Sequence, residues 1–101
     1  MHTVKITVLK RMVNQDLVDR FCEGDVTLPC PHFSEGQEFI VERGAQPEDF
    51  CDSAWNDIHK SFQIIARGGD FSGWMKDDGT MVVCCSDGLR PVAFELRRIG
   101  G

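Results

Sequence analysis

Met81-Val82-Val83-Cys84-Cys85-Ser86-Asp87-Gly88-Leu89-Arg90-Pro91-Val92-Ala93-Phe94 sets two apolar runs on either side of an Asp-Gly pair. Asp-Gly between alternating hydrophobic residues is a strong short-range hairpin signal. A two- or four-residue loop there places Cys85 opposite Arg90, Val83 opposite Val92 and Met81 opposite Phe94. The apolar partners then share one face. Successive strand residues point to opposite sides, so Cys85 is expected deep on that inner face and Cys84 on the outer one. Asp78-Gly79 marks a second turn upstream. Together the two turns predict a three-stranded meander over 71–76, 80–86 and 90–98.

Such a face needs a cover, and the segment before it supplies one. Cys51, Trp55, Ile58, Phe62 and Ile65 recur at spacings of 4, 3, 4 and 3, which forms one apolar stripe on a helix. Pro47-Glu48-Asp49 suits the helix's first turn, and Gly68-Gly69 its end. Toward the N-terminus, Val4, Ile6 and Val8 alternate with polar residues and predict a strand over 3–10. Asn14 is a cap for a short helix carrying Leu17, Val18, Phe21 and Cys22, which Gly24 stops. Leu28-Pro29-Cys30-Pro31-His32 must be a stiff loop, because each proline removes a donor and drives its predecessor extended. Gln37 to Arg43 is a further strand. The pattern is a single α+β domain over 1–101, a small, mostly antiparallel sheet with its C-terminal meander packed against one long and one short helix. Trp55 and Trp74 are expected as core anchors, His59 at the core boundary and Asp57 in solvent.

The 101 residues are 42% apolar and 27% charged, a balance that supports a globular core. A net charge of −5 argues against nucleic acid as a partner, since neutralising phosphates takes clustered Lys and Arg. No apolar run is long enough to span a membrane, and the N-terminus lacks a signal-peptide core. A cytoplasmic location with reduced thiols is the expectation. Five cysteines then require a cause, and both the odd number and a reducing compartment speak against a disulfide framework.

Three explanations stand side by side. In the first, a binding module holds zinc or iron through Cys30, Cys51 and Cys85, with His32 or Cys84 as the fourth ligand. The stripe beginning at Cys51 packs on the face carrying Cys85, which would bring those two together. Nothing in the sequence sets the distance to Cys30, and no C-x-x-C knuckle supports the site. In the second, Cys51 or Cys84 is a reactive thiol of a redox enzyme or sensor. A helix N-terminus lowers the pKa of Cys51, while Glu48, Asp49 and Asp52 oppose that. In the third, the cysteines only pack, and function lies in a surface for a protein partner or a second copy in a homodimer. Arg90 beside Asp87-Gly88 is a candidate anion contact that turn geometry alone also explains.

Several strings together resemble one family. Thr7-Val8-Leu9-Lys10-Arg11, Pro29-Cys30-Pro31 with Glu35-Gly36-Gln37-Glu38-Phe39, Phe50-Cys51-Asp52 with Ala54-Trp55 and Asp57-Ile58, and Cys84-Cys85 with Asp87-Gly88-Leu89-Arg90-Pro91-Val92 are similar to motifs of small cysteine-rich proteins typical of anaerobic bacteria and archaea. The resemblance covers nearly the whole chain. It implies an anaerobe's cytosol, in which exposed thiolates and iron sites persist, and it counts positions 30, 51, 84 and 85 among the motif residues. One position departs from the pattern: Ser53 stands where a tryptophan is expected, on the helix's outer side.

Overall fold

A computed structural model describes residues 1–100. In chain order it comprises β1 (Thr3–Arg11), α1 (Gln15–Phe21), β2 (Glu38–Val41), α2 (Asp52–Ala66), β3 (Thr80–Cys84) and β4 (Val92–Gly100). The strands form one antiparallel sheet in the order β2-β1-β4-β3. This is the small α+β fold the patterns predict. Among the described residues, no helix is long and apolar enough to cross a membrane.

One face of the sheet is apolar because alternation puts Val4, Ile6 and Val8 of β1 beside Val92, Phe94 and Leu96 of β4, all at 0–1% exposure. Against that face lies α2, whose buried residues are Ala54, Trp55, Ile58, Phe62, Ile65 and Ala66. Burying a large apolar side chain of this kind contributes about 1.5–3 kcal/mol. The opposite face is polar, with ion pairs between Lys5 and Glu38 and between Glu95 and Arg97.

The ends of α2 explain much of what surrounds it. Asp49 adopts φ 63°, a left-handed conformation that no helix contains, and the N–H of Phe50 donates to the carbonyl of Pro47 to close a turn. The helix therefore starts at Asp52, later than its proline suggests, with Cys51 as its cap residue. At the other end Gly68 takes φ 92°, so that its N–H reaches Ile65 O while the N–H of Gly69 reaches Ile64 O. That pair of bonds is a Schellman motif. Arg98 completes it from β4, donating through Nη1 to the carbonyls of Ile65 and Gly69.

Three expectations require correction. Residues 71–76 form turns, not a strand, since the N–H groups of Trp74 and Met75 return to Phe71 O and Gly73 sits at φ 87°. The edge of β4 facing away from β3 pairs with β1. Trp74 is 74% exposed, while Phe71 and Met75 from the same turn pack on the core. Finally, Val83 pairs with Phe94 and Met81 with Leu96, a register two residues from the expected one. The connecting loop is longer than a tight turn. A shift of two preserves the faces, so the expected sidedness of Cys84 and Cys85 survives it.

Candidate functional site

The cleft opens where the N-terminus of α2, the β3–β4 loop and the Pro-Cys-Pro loop meet. It has a volume of about 480 Å³. Cys51 enters it from the cap of α2, Cys85 from the end of β3, and Cys30 from the proline loop, in which Leu28–Pro29 is a cis peptide. Phe33, Ala54 and Val92 supply apolar wall.

Each thiol is positioned by contacts remote in sequence. Arg11 at the end of β1 donates through Nη1 to the carbonyl of Cys30 at 3.2 Å while its Nε and backbone N–H both bond Glu35 at 3.0 Å. These Arg11 bonds, backbone first, hold the Glu35 carboxyl below its ordinary pKa. Cys85 is held by its backbone, which bonds Val92 O, and by its sulfur, which accepts the N–H of Val92 at 3.3 Å. Beneath Cys51 lies an aromatic cluster in which Phe33 stands 5.1 Å from both Phe50 and Phe94.

His32 lines the same cleft, and its Nε2 lies 3.0 Å from the carbonyl of Asp49. A carbonyl oxygen only accepts, so Nε2 donates its proton in this bond, and Nδ1 is the nitrogen whose lone pair a metal ion would take. A metal-ligating histidine is commonly oriented in this way. Cys30, Cys51, Cys85 and His32 are thus brought to one cleft. Cys84 is not: it is exposed on the edge strand and does not line the cleft. Cys22 caps the end of α1 and also lies outside the lining.

Burial of the Cys84 thiol, then the nearby Cys85 and Asp57, push its pKa above the ordinary value. This disfavours the thiolate that a reactive role for Cys84 requires. Nor is any of the five cysteines fully buried, Cys85 included, which is half-buried where deep burial is expected. Free cysteines kept only for packing are usually among the most buried side chains.

Sequence reasoning missed the polar rim. Asp57 is exposed, as expected, but it also accepts two hydrogen bonds from Ser86, from N–H at 2.7 Å and from the hydroxyl at 2.8 Å, and so ties α2 to the β3–β4 loop. Arg90 donates to Asp87 and to the carbonyl of Thr27, so its guanidinium joins the loops. Local spacing gives no sign of the Asp57–Ser86 or Arg90–Thr27 contacts. Burial works to raise Asp87, but the N–H groups of Leu89 and Arg90 and the Arg90 guanidinium outweigh it and hold the carboxyl below 3.8. Because the folded value is depressed, this stabilisation is present above the unfolded pKa and is lost as pH falls through the folded one. The stability difference between the native protein and Asp87→Asn should therefore be full at pH 7 and shrink below about pH 4. Urea titrations at the two pH values check this, and a pH-independent difference would show that the clamp contributes nothing.

Ser53, expected on the outer helix side, is exposed but lines the cleft mouth. The tryptophan expected at that position would project over the opening. Ser53→Trp should slow alkylation of the cleft thiols without slowing that of Cys84; equal slowing at both would mean that the ring does not cover the cleft.

No family model, no curated protein and no solved structure matches the chain.

Proposed function

We propose that the chain is a thiolate metal-binding module that holds zinc or iron in this cleft through Cys30, Cys51 and Cys85, with His32 as a further donor. The observation that carries the reading is the convergence of three cysteines, from three separate parts of the chain, on one cleft while remaining half-buried. Thiolate and imidazole are the donors such ions prefer. As the side chains stand, no three His, Cys, Asp or Glu groups among the described residues are disposed to hold an ion. Ligation therefore needs the thiols to turn inward, each releasing its proton, and loading should strengthen as pH rises. Reduced thiols call for a reducing compartment, so the reading includes a cytoplasmic location. The edge of β3 opposite β4 is the natural place for a second copy or a protein partner to add a strand.

Elemental analysis of untagged protein purified without oxygen tests this. A near-stoichiometric content of zinc or iron is expected. Trace amounts only, persisting after incubation with either ion under reducing conditions, would overturn the reading.

A further inference from the structure

The two outer edges of the sheet are built differently. β2 is four residues long and carries Glu38, with Glu42 just beyond it. Short length and charge are among the means by which native sheets keep an edge from pairing with another chain. β3 has neither charge nor any other such guard. From Gly79 to Cys85 there is no charged residue and no proline, and the pairing with β4 runs without a bulge from Thr80 to Cys84. The N–H of Cys85 donates to Val92 O and Gly79 O accepts the N–H of Arg98. By alternation, Met81 and Val83 then turn their backbone groups to β4, while Thr80, Val82 and Cys84 turn theirs outward. Thr80 is already covered, at 2% exposure, but Val82 is 47% exposed and Cys84 is an exposed free thiol.

We propose that this edge pairs with the same edge of a second copy, β3 to β3 antiparallel about a two-fold axis at Val83, so that the two sheets become one. The proposal commits the open edge to one occupant and is independent of the metal. Such an axis sets Val82 of each copy opposite Cys84 of the other. Both turn N–H and C=O outward, so each pair exchanges backbone bonds in both directions. Their side chains then lie side by side on the polar face of the sheet, and the exposed valine and thiol cover each other. The helix layer matches the same axis. Asp57 bonds Ser86 at one end of β3, and Arg98, whose N–H bonds Gly79 O at the other, also bonds Ile65 O, so α2 runs alongside β3 toward its start. Val83 lies about 10 Å back along the strand from Ser86. The same length of helix is about seven residues and leads from Asp57 to Ile64 on the same side of α2. Ile64 is 37% exposed and meets its own counterpart near the axis. β2 offers no such match: Glu38 and Ile40 turn their backbone groups outward there, and a two-fold pairing about Ile40 sets Glu38 directly against Glu42 of the second copy.

The test is sedimentation equilibrium of the whole chain, metal-free and reduced, from micromolar to submillimolar concentration. The mass should rise to twice the 11.4 kDa of one chain. Over the same range the amides of Val82 and Cys84 should exchange more slowly with solvent, while that of Ile40 should not change. Val82→Lys places a charge on each side of the axis and should give a folded monomer at every concentration. Val82→Pro removes an N–H that β4 does not use, and should do the same. Ile40→Lys, on the other edge, should still dimerise. Circular dichroism shows which variants are folded, and the lysine variant decides if proline disrupts β3. A monomer throughout would overturn the proposal, as would a dimer that survives Val82→Lys or is lost in Ile40→Lys. Because the samples hold no metal, none of these outcomes bears on the metal-binding reading.

Discussion

Phe33→Ala should lower the unfolding free energy by about 3–5 kcal/mol, the range for deleting a buried aromatic side chain. The ring is 3% exposed although it belongs to a loop. It meets Phe39 of β2 at 6.1 Å, and Phe50 and Phe94 at 5.1 Å each, in edge-on geometries that add about 0.5–1.5 kcal/mol per pair beyond burial. Its loss leaves a void between the sheet and the cleft floor, directly under the Cys30 loop and the cap of α2. Urea unfolding monitored by Trp55 fluorescence, with the exposed Trp74 replaced by Phe in both proteins, gives the number. A change below about 0.5 kcal/mol, the range of ordinary surface substitutions, would mean that the loop is not docked as described.

The second large effect concerns the metal itself. Cys51→Ser and Cys85→Ser, singly and together, should weaken metal retention by more than the roughly 10- to 100-fold that removal of an outer-shell partner costs. Cys22→Ser, at the end of α1 and outside the cleft, should change it little. Retention is measured by competition with a chelator under reducing conditions. If the Cys22 and Cys85 variants lose metal equally, the cleft is not the site.

The elements whose signal is local are legible in the sequence. From Trp55 to Ile65 the stripe forms the buried face of α2, with its first member Cys51 standing at the cap, the alternation of Val4, Ile6 and Val8 forms that of β1, and Gly68-Gly69 ends the helix. Elements decided by competition are not. Residues 71–76 carry Phe71, Trp74 and Met75 like a strand, but the N–H groups of Trp74 and Met75 return to Phe71 O and Gly73 sits at φ 87°, so the segment turns on itself instead of joining the outer edge of β3. The β3–β4 register depends on the Asp87 side chain accepting the N–H groups of Leu89 and Arg90, which opens the loop beyond an Asp-Gly turn.

The same division runs through the site. Pairing Cys51 with Cys85 follows from a helix stripe lying on a strand face, both readable from periodicity. Bringing Cys30 to them depends on the Arg11 guanidinium at its carbonyl and on Arg90 at Thr27 O, contacts 19 and 63 residues apart in sequence. No local pattern encodes such distances. The separation of Cys84 from the cleft, in contrast, follows from alternation alone and is indifferent to a two-residue error in register.

X-ray absorption at the K-edge of whichever metal accompanies the anaerobically purified protein tests the central claim most directly. The account predicts a sulfur shell at about 2.3 Å in the native protein, absent when Cys30, Cys51 and Cys85 are replaced together by serine. A first shell of oxygen and nitrogen alone, unchanged by those substitutions, would contradict it.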